Sequence, residues 1–422
     1  MRAMKDSGIE WIGSIPEHWE VKRLKNVADL NPTFNAQIEQ DTLVAYMPME
    51  CLRNGIIQER IAPYSEVASY TPFKDDDVVM AKVTPCFENG NIAVATNLQG
   101  GYGFGTSEIF VIRCGKEAHN KYAFYYLQSA YIKNLGVSSM TGTGGLKRVN
   151  PTILNNSYFL SPSVAEQQAI ADYLDEKCAE VDEMIGLQEQ IIEELKAYKQ
   201  SVITEAVTKG LNHAAPMRDS GIEWIGSIPE HWKLLRIKNI LKEVHAITPT
   251  GEGEKLSVTQ NRGIIKTAEI EVANPSLSTI GWKVVSENDI VFNKYKAHSG
   301  VFFVSPYNGI VTFNYSVYRC YDDYMPKFYE YVFKTVGCIS EFRKEMRGVG
   351  ESISPLYTKD LLSINIYAPP KSEQESIIKY LNIKCTEIDN LISIKQSKID
   401  SLKEYKKSII YEYVTGKREV NE

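Results

Sequence analysis

The sequence predicts an α+β protein with a pseudo-twofold internal repeat: two mixed α/β domains on a duplicated scaffold, each half ending in a long helix. Three observations carry that expectation. The fourteen residues DSGIEWIGSIPEHW at Asp6–Trp19 return unchanged at Asp219–Trp232. AEQQAIADYLDEKCAEVDEMI, from Ala165, returns as SEQESIIKYLNIKCTEIDNLI from Ser372, an offset of 207. Between these landmarks each half holds a segment with the same order of parts and few shared letters. Self-similarity at a fixed period marks a repeated structural unit, and it sets the frame for every local assignment.

The first element is the repeated strap, placed at 1–19 and 213–232. Trp11, Gly13, Pro16 and Trp19 form a W-x-G-x-x-P-x-x-W pattern. Glycine and proline set bends, and two indoles supply large apolar surfaces to bury. His18 and His231 invite a catalytic reading, because histidine is the residue type most used for proton transfer near neutral pH. Neither has an acidic or nucleophilic neighbour at useful spacing, so both read as structural.

Next come the variable segments, 20–163 and 233–370. DDDVVMAKV (75–83) and ENDIVFNKY (287–295) each place acidic turn residues before a β-branched run, which predicts a strand. SEIFVIRC (107–114) and YSVYRC (315–320) read as buried strands. KYAFYYLQSA and KFYEYVFKTV read as short aromatic helices. Glycine loops MTGTGGLKRV (140–149) and MRGVGESISP (346–355) then lead to a closing strand.

The closing segments, 164–212 and 371–422, have helical periodicity. Leu174, Cys178, Val181, Ile185, Gln188, Ile192, Leu195, Lys199, Val202 and Ala206 alternate steps of four and three. Leu381, Cys385, Ile388, Ile392, Lys395, Ile399, Leu402, Lys406, Ile409 and Tyr413 repeat the pattern, with the polar exceptions at the same two places. Such a 3.5-residue repeat is a coiled-coil seam. At ~1.5 Å per residue, some 40 residues make a rod of roughly 60 Å. Matched phase predicts that the two rods pair with each other. Pro162 and Pro369–Pro370 stand just upstream, where proline is tolerated before a helix.

Composition excludes several classes. Hydrophobic residues make up 43% and charged residues 24%, as in an ordinary folded protein. No window approaches ~18 apolar residues, so no membrane association is expected. The start, MRAMKDSG, lacks the apolar core of a signal peptide. Seven scattered cysteines, an odd number without a CxxC pair, point to reduced thiols in a cytoplasm and to no zinc site. The net charge of −6 hides a partition. Segment 165–212 holds four basic and eleven acidic residues, a net of −7, whereas 233–370 holds seventeen basic and fourteen acidic, a net of +3. Positive faces that suit a nucleic acid remain available.

A search for chemistry finds little. Gly101–Gly105 is glycine-rich but leads into a strand, unlike a dinucleotide loop. GTGGLK (142–147) lacks P-loop spacing, and Arg148 stands where Ser or Thr would hold magnesium. An Asn/Asp-Pro-Pro-aromatic methyltransferase motif is missing, since Asn31-Pro32-Thr33 and Asn150-Pro151-Thr152 do not qualify. Asp75–Asp77 lie near Lys82 without the acid-x-Lys step of a nuclease. The expectation is a chain with no catalysis, no metal and no cofactor of its own.

Together, the strap, the paired variable domains, the AEQ-initiated helices and their order resemble the specificity subunit of a type I restriction–modification enzyme, over the full chain. VVMAKVTPCFENGNIA (78–93) and DIVFNKYKAHSGVFFVSPYNGIV (289–311) are similar to two versions of that family's target recognition domain. The resemblance implies that each domain reads one half of a bipartite double-stranded DNA target. It implies that the rods pack as an antiparallel coiled coil, set the spacer and dock two modification subunits. Methyl transfer from S-adenosylmethionine and ATP- and Mg-dependent cleavage then belong to those subunits and to the restriction subunits.

On that reading, the first domain offers Lys82, Thr84, Asn89, Thr143, Lys147 and Arg148 to DNA. The second offers Arg262, Asn293, Lys294, Lys296, His298 and Arg347, with Lys294 and Lys296 expected on one strand face. The expected seam is Leu174, Val181, Ile185, Ile192, Leu195 and Val202 against Leu381, Ile388, Ile392, Ile399, Leu402 and Ile409. Two other readings are the recognition portion of a single-chain restriction-methyltransferase, which needs motifs not found here, and a coiled-coil adaptor that binds no DNA. The adaptor leaves the differing inserted domains without a purpose.

Overall fold

The computed structural model describes residues 3–142, 145–260, 262–270, 278–346 and 355–420. It divides into two units, Met1–Gln188 with Ser397–Glu422, and Glu189–Gln396.

In the first unit the strap is a hairpin, Met4–Asp6 against Ser14–Pro16. Gly13 turns it at φ +65°, a conformation that glycine adopts freely. Trp19 is fully buried behind it. Strand Glu20–Arg23 pairs with Tyr158–Ser161, so the inserted domain leaves and returns at one place. Its main sheet is antiparallel. With β1 (Ala28–Leu30), β2 (Val78–Ala81), β3 (Ile92–Val94) and β4 (Ile109–Cys114), the order is β3-β2-β4-β1. Every residue of β2 is buried because both faces are covered. Val78, Met80, Phe110 and Ile112 face the core that includes the aromatic helix Asn120–Leu127. Val79, Ala81, Ile109 and Val111 face a second core with Met47 and Phe73. The period of two along each strand produces this division.

The second unit repeats the plan. Its strap pairs Met217–Asp219 with Ser227–Pro229, and Lys233–Arg236 pairs with Asn365–Ala368. With β5 (Leu241–Glu243), β6 (Ile290–Asn293), β7 (Phe302–Val304) and β8 (Tyr315–Cys320), the sheet order is β7-β6-β8-β5, the same as in the first unit. Helix Pro326–Phe333 takes the place of the first aromatic helix. The acidic turns before β2 and β6 also match. Asp76 and Asn288 adopt positive φ. Asp77 accepts two bonds from Arg113, both at 2.7 Å, and Asp289 accepts two from Arg319 at 2.7 and 2.8 Å. Both carboxylates are buried, which makes each pair a scaffold joint between adjacent strands.

The long helices run Val164–Lys209 and Lys371–Val414. In the first unit Leu174 and Cys178 share a core with Ile409 and Tyr413. Tyr173 lies 4.5 Å from Tyr413 between ring centres, and Lys406 pairs with Asp182 at 2.6 Å. In the second unit Val202 and Ala206 share a core with Leu381 and Cys385, and Lys199 pairs with Asp389 at 2.7 Å. Numbers fall along one helix as they rise along the other, so the helices pack antiparallel. The two seam lysines reach across to an aspartate on the opposite helix, which keeps their charge at the edge of the apolar contact. Leu174, Val181, Ile192, Val202, Leu381, Ile388, Ile399, Leu402 and Ile409 are buried. Ile185, Leu195 and Ile392 are half-buried.

Candidate nucleic-acid interface

In the first unit four of the six residues considered for DNA contact meet at the end of β2. Lys82 and Thr84 follow that strand, and the stretch ending the glycine loop returns beside them: Thr84 N donates to Lys147 O at 2.9 Å, and Val149 N to Lys82 O at 2.9 Å. Thr84 Oγ1 donates to Gly145 O at 3.0 Å and accepts from Lys147 N at 2.9 Å, so this hydroxyl holds the loop in place. Lys147 and Asn89 are exposed, and the Lys82 ammonium lies 5.8 Å over the Phe110 ring.

Arg148 makes two parallel bonds to Glu108, Nε to Oε2 at 2.8 Å and Nη2 to Oε1 at 2.7 Å. That guanidinium holds the Glu108 carboxyl below its ordinary value. Sequence reasoning passed over Glu108, because 40 residues separate the partners and only strand register joins them. Thr143 and Arg347 lie outside the described residues.

In the second unit Asn293, Lys294, Lys296 and His298 form one continuous edge at the end of β6. Lys294 and Lys296 do not share a strand face, because β6 ends at Asn293. The Asn293 carboxamide accepts from Tyr295 N at 3.1 Å and its backbone carbonyl from Lys296 N at 3.0 Å, closing a turn. Asparagine competes for backbone donors in this way, and it ends the strand that the alternation suggested. Leu356 N donates to Lys294 O at 2.9 Å, the counterpart of Val149 on Lys82. His298 Nδ1 is buried without a hydrogen-bond partner. Arg262 sits elsewhere, between strands Leu256–Thr259 and Gly263–Lys266, with its guanidinium 3.6 Å from Glu269.

Both strap histidines do have acidic partners, far off in sequence. His18 Nε2 lies 2.9 Å from Glu166, whose other oxygen accepts from Trp19 Nε1 at 2.9 Å. The next residue is equally committed. Gln167, fully buried, donates to Glu117 O and Pro162 O and accepts from His119 N, at 2.9, 3.0 and 2.8 Å. Gln374 repeats this with Asp323 O, Pro369 O and Met325 N. The Glu-Gln pair opening each long helix therefore binds strap, inserted domain and helix together. Its recurrence at the 207-residue offset was the available signal.

The fold defines a class: proteins with two dissimilar inserted domains on a duplicated scaffold of straps and paired helices. Comparison with known proteins finds relatives of this class. Residues 16–197 match the Type I restriction modification DNA specificity domain. The EcoEI specificity subunit of Escherichia coli is 32% identical over 199 residues, 46% of this chain and 33% of that protein. The chain thus spans about a third of the length of this relative, and 37% of the EcoAI subunit. A putative type I specificity subunit, MjaX, of Methanocaldococcus jannaschii is 24% identical over 430 residues, 96% of this chain and 95% of that one. Among solved structures, a chain from work on complex assembly of the type I R-M system superposes with TM-score 0.73 at 17% identity, covering 95% of this chain and 98% of that one. HsdS from Thermoanaerobacter tengcongensis gives 0.54, also at 17% identity, covering 96% and 98%. Over nearly its whole length the chain is thus similar to a type I specificity subunit, and its fold is that of the solved chains.

Proposed function

We propose that this chain is the DNA-reading subunit of a type I restriction–modification complex and itself catalyses no step. Each inserted domain reads one half of a bipartite duplex target. The paired helices act as the spacer and as the docking rails for two modification subunits. Methyl transfer and ATP-driven cleavage are carried by those subunits and by restriction subunits. One observation carries the reading: sheet order, buried Asp–Arg joints and Glu-Gln fasteners recur in both units, while most side chains at the ends of β2 and β6 differ, Lys82 and Lys294 excepted. A scaffold held constant around two different polar edges suits two different half-sites. Lys82, Asn89, Lys147 and Arg148 face the first half-site, with Thr84 shaping the loop. Asn293, Lys294, Lys296 and His298 face the second, and Arg262 supplies a contact from its separate hairpin.

The test is genome-wide mapping of methylated adenines in cells with and without this gene. The expected result is a two-part motif with a constant interruption that disappears with the gene. A continuous motif, or no change, would overturn the reading. Binding by the chain should also weaken by roughly 0.9 log units per phosphate contact for each tenfold rise in salt.

A further inference from the structure

We propose that Arg148 reads a guanine in the first half-site and that Glu108 holds it in the reading position, an assignment that rests on the DNA-reading role proposed above. A guanidinium has five N–H donors in a planar fork. Glu108 occupies Nε and one hydrogen of Nη2, at 2.8 and 2.7 Å. The far edge, formed by Nη1 and Nη2, keeps two parallel donors. That spacing matches the O6 and N7 acceptors that guanine shows in the major groove.

The backbone fixes both partners. Arg148 exchanges two hydrogen bonds with Thr141, at 3.1 and 2.9 Å, and Lys82 N donates to Glu108 O at 3.0 Å. The side chains still reach the surface, 46% exposed for Arg148 and 26% for Glu108. The fork is thus held in one orientation with its outer edge accessible. Base and phosphate are separated by charge. The pair is neutral overall, and a phosphate approaching it meets the Glu108 carboxylate. A guanine edge presents neutral acceptors and meets no such repulsion.

The second unit serves as an internal control. Val78 pairs with Ile112, and Ile290 with Tyr318, so Glu108 aligns with Asn314. Val149 on Lys82 and Leu356 on Lys294 align Arg148 with Pro355. Scaffold pairs recur, as Asp77–Arg113 and Asp289–Arg319 do. Asn314 and Pro355, at the aligned positions, do not repeat the Glu108–Arg148 pair. It belongs with what differs between the domains, which is the choice of sequence.

The experiment selects bound duplexes from a randomised pool, using the chain assembled with its modification subunits. The unaltered chain should return a two-part motif. Arg148→Ala should lose preference for one guanine in one part, by roughly 5- to 150-fold, with the other part intact as proof of folding. Arg148→Lys, which keeps the charge and loses the fork, should do the same. Glu108→Gln should weaken the same position to a smaller degree. Replacing that guanine by 7-deazaguanine, which lacks the N7 acceptor, should weaken the unaltered chain and leave Arg148→Ala indifferent. A uniform loss on every duplex with a shallower salt slope would make Arg148 a phosphate contact and overturn the assignment. An unchanged motif would make the pair structural and overturn it equally. No two-part motif from the unaltered chain would sink the DNA-reading role itself, and this assignment with it.

Discussion

Glu373 holds Trp232 and His231 at once: the indole N–H donates to one carboxylate oxygen at 3.0 Å, and His231 Nε2 lies 2.6 Å from the other. The carboxylate sits in the first turn of the second long helix, where the helix dipole also favours negative charge. Glu373→Ala leaves the N–H of a buried indole without an acceptor, which costs about 2 kcal/mol. The denaturant midpoint should fall accordingly. Glu373→Gln, which keeps one acceptor, should cost less. An unchanged midpoint in the alanine variant would show that the strap is held by apolar packing alone.

Gln374 carries more. Its side chain is fully buried and serves two carbonyls and one N–H. Gln374→Leu, close in volume, removes all three partners and should cost about 3 kcal/mol, more than the change at Glu373. Paired denaturation curves check the order of the two effects.

The helix pair sets an apolar seam against exposed ion pairs. Ile399 is 1% exposed, so Ile399→Ala should destabilise by roughly 2–5 kcal/mol. Lys406 faces an Asp182 that is 58% exposed, so Lys406→Ala should cost less than about 1 kcal/mol, and less again at high salt. A reversal of that order, measured by thermal unfolding, would mean that charge and not packing joins the helices.

Burial pushes the thiols of Cys114 and Cys320 from 9.0 up to about 12. In the fold they keep protons that the unfolded chain releases above about pH 9, so stability should decline as pH rises beyond that value. At pH 8 both should resist iodoacetamide in the native protein and react fully in denaturant, as mass spectrometry would show. Native labelling at pH 8 would contradict the half-buried, protonated state.

Much of this architecture could be read from the letters. Identical straps announced a duplication, and the apolar period of Leu174–Ala206 and Leu381–Tyr413 announced two rods. Strands such as Ile109–Cys114 were visible as β-branched runs. These signals are local, because the period of a helix or strand is written in neighbouring residues. The acidic partners of the strap histidines stayed hidden for the same reason. They lie 148 and 142 positions away, beyond any spacing argument. Lys294 and Lys296 were assigned to a strand by alternation, and one side-chain bond from Tyr295 N to Asn293 ended that strand.

By itself the sequence determined the repeat and most of the element types, since each is written in runs of neighbouring residues. Tertiary structure alone decided which distant parts close a core. Ile409, Ile410, Tyr413 and Val414 pack with Trp19 and Leu174, and a Cβ at Gly416 would stand 2.5 Å from Pro16. Strand register likewise brought Glu108 to Arg148. Neither meeting leaves a local mark. Burying apolar surface and satisfying buried polar groups are conditions on the whole chain, and only the folded chain meets them.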